Sequence, residues 1–257
     1  MYLEKLTLKG RTALVTGGGR AIGLAICEAL AEAGANVIIA DRDPGVAEAG
    51  RQTLIAKGYH PEVVILDVTR AADVAATADR LAATGAGVDV LVCNAGIVHS
   101  EIPAEAMTDA RWLDVIDVNL NAVFWCCRAF GAHMLKARRG SIVNIGSMSG
   151  IIVNKPQAQI SYNASKAAVH HLTKSLAAEW ADRGVRVNAV APTYVETPLN
   201  EFVKSNPAMY GAWIDGTPMA RMGYPDEIAS VVHFLASDAA SLMTGSVVVV
   251  DGGYTCW

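Results

Sequence analysis

Residues 12–23 read TALVTGGGRAIG, which is a short apolar run, a glycine-rich turn and the beginning of a longer helical stretch. A strand, a glycine-rich turn and a helix in this order are typical of a βαβ unit that binds a nucleotide. The glycines let the backbone turn tightly and approach a pyrophosphate, which then lies at the positive end of the helix. Because glycines also serve ordinary turns, the motif predicts a nucleotide site only in this strand-turn-helix context.

Short β-branched runs alternate with longer helical stretches from one end of the chain to the other. Strands are predicted at residues 12–16, 36–40, 62–66, 88–93, 141–146, 185–190 and 246–250. Helices are predicted at residues 21–33, 44–57, 71–84, 108–136, 160–182 and 225–237. Strands that are apolar at successive positions are typically buried on both faces. The pattern therefore predicts one doubly wound α/β domain over residues 1–257, with a parallel sheet of about seven strands and helices on both faces.

The composition excludes several classes of protein. The chain has 257 residues, of which 52% are hydrophobic and 18% charged, and its formal net charge is −4. A disordered chain needs low hydrophobicity and high net charge. A membrane-spanning helix needs about 20 consecutive apolar residues, whereas runs such as 37–40 are short and end at a charged residue. No basic block is present, so neither nucleic acid nor a membrane is an expected partner.

The cysteines and histidines indicate a reduced compartment and no metal. Cysteines 27, 93, 126, 127 and 256 form no CxxC pair, which favours reduced, buried thiols in a cytoplasmic protein. The first ten residues carry charges and lack the apolar core of a signal peptide. The histidines show no metal-ligand spacing, so we expect no metal site.

Residues 193–223 interrupt the alternation of strands and helices. This segment carries three prolines and irregularly spaced apolar residues, with no clear element of its own. A long segment of this kind is usually a functional lid or a disordered linker. Its Phe202, Met209, Tyr210, Trp213 and Met219 favour a substrate lid, because a linker would be polar. The alternative is a surface excursion that packs its own small cluster.

Asp41 ends the second predicted strand and bears on the choice of cofactor. A carboxylate at this position accepts hydrogen bonds from the adenosine ribose hydroxyls and repels a 2′-phosphate, which favours NAD over NADP. Arg20 and Arg42 favour the opposite choice, because either guanidinium pairs well with a phosphate. The interpretation as a ribose ligand depends on the glycine-rich turn upstream.

Two further strand ends carry polar or small residues toward the same edge of the sheet. Asp67 and Val68 follow the third strand, where the Asp67 carboxylate is placed to accept from an adenine amino group. Asn94, Ala95 and Gly96 follow the fourth strand, and their small size admits the adenine ribose. Open parallel sheets bind ligands at the carboxyl ends of their strands, so this convergence is expected.

Tyr162 and Lys166 form a candidate acid/base pair. They are four residues apart, so on a helix they share one face. A lysine ammonium close to a phenol stabilises the phenolate and lowers its pKa from about 10. Tyr162 would then serve as a general base for an alcohol or a general acid for a carbonyl. A Tyr-xxx-Lys pair alone is common in proteins and carries no function by itself.

The motifs together resemble the short-chain dehydrogenase/reductase family in order and spacing. They are TGGGRAIG at 16–23, NAG at 94–96, Ser147, YNASK at 162–166 and VDGG at 250–253, and the likeness covers essentially the whole chain. The stretch SMSGIIVNKPQ before YNASK and the DGGYTCW ending look most similar to polyol dehydrogenases of the galactitol type.

The resemblance implies four catalytic residues. Tyr162 would be the acid/base, and Lys166 would lower its pKa while holding the nicotinamide ribose. Ser147 would hydrogen-bond the reacting oxygen, and Asn119 would fix a water that links Lys166 to solvent. Ser147, Ser149, Asn154 and Tyr162 would contact the substrate.

The resemblance also implies a cofactor site and an assembly. Pro192, Val195 and Thr197 would meet the nicotinamide carboxamide. The expected cofactor set is Gly17, Gly19, Arg20, Ala21, Ile22, Asp41, Asp67, Val68, Asn94, Ala95, Gly96, Tyr162, Lys166, Pro192, Val195 and Thr197. Members of the family are often homotetramers, and an aromatic last residue, Trp257, fits a subunit interface.

Three departures from the family pattern bear on these expectations. Ala21 replaces the usual second glycine of the turn, and its methyl group is expected to be tolerated. Thr193 replaces the usual glycine near the nicotinamide. The usual serine-to-tyrosine separation of thirteen would select Ser149 as the catalytic serine, whereas the position directly after the strand selects Ser147, which we prefer.

The sequence thus predicts an NAD-dependent dehydrogenase that acts on a secondary alcohol, a polyol or sugar alcohol, and gives the ketone. One alternative is an NADPH-dependent 3-oxoacyl thioester reductase acting on acyl carrier protein. Another is a non-catalytic nucleotide-binding protein, since a fold alone does not establish function.

Overall fold

A computed structural model describes residues 1–85 and 87–257. In the described residues the sheet has seven parallel strands in the order β3-β2-β1-β4-β5-β6-β7. The strands are β1 Thr12–Thr16, β2 Asn36–Asp41, β3 Glu62–Ile65, β4 Val90–Cys93, β5 Gly140–Ile145, β6 Val185–Pro192 and β7 Val247–Val250. The predicted doubly wound α/β domain is confirmed.

Eight α-helices connect and cover the strands in the described part of the chain. They are α1 Ala21–Glu32, α2 Pro44–Ala56, α3 Ala71–Ala83, α4 Asp109–Ile116, α5 Ala122–Ala137, α6 Ile160–Trp180, α7 Pro207–Asp215 and α8 Pro225–Ala236. None of these helices is both long enough and apolar enough to cross a membrane.

Successive residues of a central strand enter two different cores, which explains the continuous apolar runs. Leu14 of β1 packs into the core that contains Phe130 of α5 and Leu176 of α6. Its neighbours Ala13 and Val15 pack into the core on the other face, beneath α1, α2 and α8. The sheet is therefore buried between two layers of helices.

The predicted helix 108–136 is helical from Asp109 to Ala137 but contains a π-helical turn that the sequence did not predict. Between α4 and α5 the chain makes a π-helical turn at Asp117–Asn121, where the N–H of Ala122 donates to the carbonyl oxygen of Asp117. This turn contains one residue more than an α-helical turn, so it redirects the side chains that follow it. Asn119 lies within the turn and is fully buried.

The segment 193–223 is more regular than its sequence indicates. It contains a 3₁₀ segment, Pro198–Ser205, and the helix α7, which the sequence did not predict. Pro207 is the first residue of α7, and the side chain of Asn206 accepts from the N–H of Met209 at 3.2 Å. Tyr194, Met209, Trp213 and Met222 of the segment pack with Met148 and Tyr254 in a third apolar cluster.

The cysteines divide into two groups. Cys27, Cys93, Cys126 and Cys127 are buried free thiols, in agreement with the expectation. The expectation is wrong for Cys256, which is exposed because it lies in the short 3₁₀ turn Tyr254–Cys256 at the end of the chain.

The glycine-rich turn places Ala21 in the left-handed region, with φ of 51°. This conformation costs an L-residue about 1 kcal/mol relative to glycine. We expect Ala21→Gly to raise the free energy of unfolding by up to about 0.5 kcal/mol, because relief of this strain exceeds the added entropy of the unfolded chain. Urea unfolding followed by circular dichroism measures the change.

Ala25→Gly is the matched control, since Ala25 lies inside α1 with an ordinary helical backbone. It should lower the free energy of unfolding by about 1 kcal/mol. Equal destabilisation by the two substitutions would show that Ala21 carries no backbone strain.

Candidate active site

A cavity of about 640 Å³ lies across the carboxyl ends of the central strands. The turn after β1, the ends of β2 and β3 and the segments after β4, β5 and β6 all contribute to its lining. The chain order reverses between β1 and β4, which is the point where open parallel sheets bind ligands. Its volume is within the usual range for a small-molecule site.

The turn after β1 is held rigidly against β4. The hydroxyl of Thr16 accepts from the backbone N–H groups of Asn94 and Ala95 at 3.0 and 3.1 Å. The Asn94 amide donates to the carbonyl oxygens of Thr16 and Gly17, both at 3.0 Å. A Cβ at Gly23 would lie 2.0 Å from the carbonyl oxygen of Gly17, so only glycine fits there. The turn therefore presents bare backbone to the cavity.

Asp41 lies at the end of β2 and is partly buried. Its carboxylate accepts from the N–H of Gly19 at 3.4 Å and from the N–H of Asp43 at 3.2 Å. Arg20 and Arg42 line the same part of the cavity and are exposed. The structure therefore brings together the carboxylate that favours NAD and the two guanidinium groups that favour NADP.

Asp67 lies at the end of β3, beside Val68. Its carboxylate accepts from the N–H of Thr69 at 2.9 Å and from the Thr69 hydroxyl at 2.6 Å. These hydrogen bonds lower the pKa of Asp67 against the effect of burial, and the charges of Arg42 and Arg70 act in the same direction. Asp67 is therefore an ionised acceptor at neutral pH.

Tyr162 and Lys166 lie one turn apart on α6, and both line the cavity. The Lys166 ammonium is buried, donates to the carbonyl oxygen of Ile145 at 2.8 Å and lies 5.5 Å from the centroid of the Tyr162 ring. Burial lowers the pKa of Lys166 to about 8. Burial raises the pKa of Tyr162, and the neighbouring Ser147 hydroxyl acts in the opposite direction.

The lowering of the Tyr162 pKa by Lys166 stays a prediction. The ammonium donates to the Ile145 carbonyl oxygen and lies 5.5 Å from the centroid of the Tyr162 ring. Burial is the larger effect on the pKa of the Tyr162 phenol and raises it.

Ser147 and Ser149 are both buried and both line the cavity. The Ser147 hydroxyl donates to that of Ser149 at 3.0 Å and accepts from the N–H of Ser149 at 3.1 Å. The N–H of Ser147 donates to Nε2 of His170 at 3.4 Å. Of the two serines, Ser147 is the one whose hydroxyl lowers the pKa of the Tyr162 phenol by hydrogen bonding.

Asn119 and Gly19 are the two predicted site residues that do not line the cavity. The Asn119 amide accepts from the N–H of Ile97 and donates to the carbonyl oxygen of Ile97, both at 2.9 Å. It also donates to the Ser165 hydroxyl at 3.2 Å. Its side chain thus fixes the segment after β4, and its Oδ1 lies on the same side of Gly96 as the Lys166 ammonium. Gly19 lies behind the turn, where a Cβ would be 2.6 Å from the carbonyl oxygen of Val46.

All the other predicted site residues line the cavity. These are Gly17, Arg20, Ala21, Ile22, Asp41, Asp67, Val68, Asn94, Ala95, Gly96, Ser147, Ser149, Asn154, Tyr162, Lys166, Pro192, Val195 and Thr197.

The lining also contains polar and aromatic residues that the sequence did not assign to the site, among them Gln157, Gln159 and Tyr194, and the lid residue Trp213. The two glutamines stand in NKPQAQ at 154–159, where an amide-rich stretch just before α6 was the available signal. Tyr194 and Trp213 stack with ring centroids 3.7 Å apart. Nothing in the sequence indicates that these two residues meet.

The lining fits a nicotinamide dinucleotide. The bare backbone at Gly17 and Gly23 leaves room for a pyrophosphate, and Asp41 lies where a ribose would follow. The Thr193 hydroxyl, beside Pro192, is buried and has no hydrogen-bond partner among the described residues, so a polar group is available where a carboxamide is expected. The described residues contain no cluster of three or more His, Cys, Asp and Glu side chains placed to hold a metal.

Comparison with known proteins gives a consistent result over the whole chain. Residues 17–255 match the family described as enoyl-(acyl carrier protein) reductase. The chain is 59% identical over 256 residues to galactitol 2-dehydrogenase of Rhizobium johnstonii, covering 100% of this chain and 99% of that protein.

Two solved structures share the fold. The crystal structure of gox2181 superposes with a TM-score of 0.98 at 55% identity, covering 100% of both chains. A gluconate 5-dehydrogenase from Burkholderia cenocepacia J2315, solved in complex with NADP and tartrate, superposes with a TM-score of 0.95 at 36% identity, again over 100% of both chains.

His170 gives the site a pH-dependent contribution to stability. Burial, together with the charges of Lys166 and Lys174, lowers the pKa of His170 to about 4. Its unfolded value is about 6.5, so the unfolded chain binds more protons between these pH values and stability falls as pH falls. Between pH 6.5 and 4.5, the free energy of unfolding of the wild type should therefore fall by about 2 kcal/mol more than that of His170→Gln.

Urea unfolding at a series of pH values measures this difference. His171→Gln is the control, since His171 is the exposed neighbour on the same helix and its loss should leave the wild-type pH dependence. Parallel curves for the wild type and His170→Gln would contradict the assignment.

Proposed function

The chain belongs to the short-chain dehydrogenase/reductase family, and we propose that within this family it is an NAD-dependent dehydrogenase that oxidises a secondary alcohol of a polyol to the ketone. The observation that carries the proposal is the meeting of Tyr162, Lys166 and Ser147 on one wall of the cavity whose other end contains the glycine-rich turn and Asp41. A bound nicotinamide supplies the hydride acceptor for the alcohol or the hydride donor for the ketone.

The proposed acid/base is Tyr162. Because burial raises its pKa, the phenol is protonated at neutral pH and is ready to donate to a carbonyl oxygen in the direction of reduction. In the direction of alcohol oxidation the phenol first gives up that proton to solvent, through the proposed water beside Lys166. The Lys166 side chain lies on the same wall. Its pKa is about 8, so at lower pH it is a positively charged ammonium that can stabilise the phenolate.

Two residues position the reacting groups in this proposal. Ser147 holds the reacting oxygen beside the Tyr162 phenol, while Ser149 is its buried hydrogen-bond partner. Asn119 acts through the backbone of Ile97, which it holds with two hydrogen bonds. The proposed water between Lys166 and solvent would then depend on the π-helical turn around Asn119 rather than on its amide.

NAD is the proposed cofactor because of Asp41. Its carboxylate is partly buried and positioned by two backbone N–H groups, so a 2′-phosphate brought beside it would be repelled. Arg20 and Arg42 are exposed, and solvent screens their attraction for a phosphate. The related gluconate 5-dehydrogenase was solved in complex with NADP, so the fold by itself does not exclude a 2′-phosphate, and the choice of NAD rests on Asp41.

The proposed substrate class is a polyol, with galactitol as the first candidate. It is supported by the 59% identity to a galactitol 2-dehydrogenase and by the amide and hydroxyl groups of Ser149, Asn154 and Gln159 that line the cavity. The segment 193–223 contributes Tyr194, Phe202 and Trp213 to the same lining, which supports a substrate lid.

We further propose a cytoplasmic homotetramer. Trp257 is 81% exposed and Leu242 is 98% exposed in the single chain, and large apolar side chains in such positions are typical of surfaces that a second copy covers. The four buried free thiols are consistent with a reducing compartment.

A second candidate is an NADPH-dependent 3-oxoacyl thioester reductase. It is favoured by the description of the matching family as an acyl carrier protein reductase and by the two arginines at the ribose end of the cavity. The identity to a galactitol 2-dehydrogenase favours a polyol substrate, and Asp41 disfavours the NADPH that this second candidate would use.

Turnover of a panel of substrates tests the proposal. We expect galactitol with NAD to give an increase in NADH absorbance and 3-hydroxyacyl thioesters to give none. Tyr162→Phe should lose at least about 10³-fold in kcat, because the proton has no other acceptor, while it still binds NADH. Turnover of the thioesters alone would reject the polyol, and an active Tyr162→Phe would reject the mechanism.

The two serines provide the internal control for this experiment. Ser147→Ala should reproduce the loss in kcat, and Ser149→Ala should retain measurable turnover with an altered KM. The reverse pattern would make Ser149 the catalytic serine.

Cofactor preference is tested separately by fluorescence titration with NADH and NADPH. The wild type should bind NADH more tightly, and Asp41→Ser should shift the ratio of the two dissociation constants at least about 10-fold toward NADPH, because the repulsion of the 2′-phosphate is removed. Arg20→Ala in the Asp41→Ser background should reverse part of the shift. Tighter binding of NADPH by the wild type would contradict the proposed choice of NAD.

A further inference from the structure

The cavity wall beyond the two serines is formed by buried amides and stacked aromatic rings. Asn154, Gln157 and Tyr194 are each less than one-tenth exposed and all line the cavity. The Tyr194 ring stacks on Trp213 with an interplanar angle of 1°, and the edge contact with Tyr254 has a centroid distance of 5.7 Å. The position of the Tyr194 hydroxyl is therefore fixed by packing on both sides.

Trp213 determines the direction of the hydrogen bonds on this wall. An indole N–H can only donate, and it donates to Oε1 of Gln157 at 3.1 Å. The Gln157 amide nitrogen must then face Tyr194, and it donates to the Tyr194 hydroxyl oxygen at 3.1 Å. Asn154 donates to the same oxygen at 2.9 Å, while its own carbonyl oxygen accepts from Gln159 at 2.9 Å.

The Tyr194 hydroxyl is left with one unused function, its proton. A phenol oxygen has two lone pairs and one O–H, and Asn154 and Gln157 occupy both lone pairs. Among the described residues the Tyr254 phenol also acts on this hydroxyl, but the geometry of the two groups does not form a hydrogen bond, so the proton is left for a ligand. Burial raises the pKa of Tyr194, so the proton stays on the oxygen throughout the pH range of a working enzyme.

The hydroxyl also lies away from the reacting groups. A continuous row of hydrogen bonds runs from Ser147 through Ser149, Gln159 and Asn154 to Tyr194. Three side chains thus separate Ser147 from Tyr194 along the wall. A substrate whose reacting oxygen meets Ser147 would reach Tyr194 with a different part of its chain.

We propose that Tyr194 is a specificity-determining residue whose hydroxyl donates a hydrogen bond to a substrate hydroxyl oxygen remote from the reacting carbon. This inference rests on the proposed function, since it takes a polyol as the occupant of the cavity. A polyol satisfies the free O–H of Tyr194. An alkanol of the same length leaves it buried without an acceptor, and an unmade hydrogen bond of that kind disfavours binding.

Tyr194→Phe removes the hydroxyl and keeps the ring that stacks on Trp213. Steady-state kinetics with NAD would compare galactitol with 2-hexanol, which has the same carbon chain but lacks the remote hydroxyls. We expect the ratio of kcat/KM for galactitol to that for 2-hexanol to fall about 10-fold to 100-fold. The loss should lie mainly in KM, because the bond is made equally in the ground state and the transition state.

Tyr254→Phe is the matched control. Tyr254 belongs to the same aromatic cluster, and its buried hydroxyl acts on that of Tyr194 without forming a hydrogen bond to it, but it does not line the cavity. It should keep the wild-type ratio. Melting temperatures and NADH dissociation constants of both variants show whether the fold and the cofactor site are intact.

The outcomes distinguish failure of the role of Tyr194 from failure of the proposed function. If the wild type oxidises galactitol and Tyr194→Phe keeps its ratio within two-fold, the role of Tyr194 is overturned and the proposed function stands. If Tyr254→Phe shows the same loss, the effect belongs to packing and the role is also overturned. If the wild type oxidises no polyol, the proposed function fails and the inference fails with it.

Discussion

The close approach of two backbone segments, the turn after β1 and the start of α1, is the constraint on which the site depends. At Gly23 a single added carbon would lie 2.0 Å from the Gly17 carbonyl oxygen and 2.7 Å from the Asn94 amide nitrogen. This contact brings the turn, α1 and the end of β4 into one rigid unit. Gly96 follows two residues after Asn94, and beside it lie the amide of Asn119 and the ammonium of Lys166. The dinucleotide end and the catalytic end of the cavity are thus positioned by the same few backbone contacts.

Helix α6 supplies the second half of this arrangement. Tyr162, Lys166 and His170 follow one another at intervals of four residues and therefore share one face of the helix. His170 is neutral at physiological pH, because the pKa of its buried ring is lowered to about 4 in part by the Lys166 charge. It can therefore accept from the N–H of Ser147 without placing a second positive charge beside Lys166. One helix face carries a proton donor, a cation and a neutral acceptor in a fixed order.

The sequence predicted the features that depend on neighbouring residues and missed those that depend on distant ones. The strand-turn-helix at 12–23 and the residues after each strand follow from local patterns, and the structure places nearly all of them around one cavity. The break between α4 and α5 was missed because it depends on the contact of Asn119 with Ile97, which lies 22 residues earlier. The Tyr194–Trp213 stack and the helix α7 follow from tertiary packing. The pKa of Tyr162 depends on burial and on the Ser147 hydroxyl, and a four-residue spacing shows neither.

The single donor on Trp213 has a consequence for the entropy of binding. The Gln157 amide is not free to rotate by half a turn, since it would then direct an N–H against the indole N–H and leave both unpaired. The wall therefore presents one pattern of donors and acceptors before any ligand arrives, rather than several patterns of similar energy. A ligand that matches it does not have to select one orientation from many, so less conformational freedom is lost on association. A small molecule that forms few hydrogen bonds gains most from a surface whose donors and acceptors are already oriented before it binds.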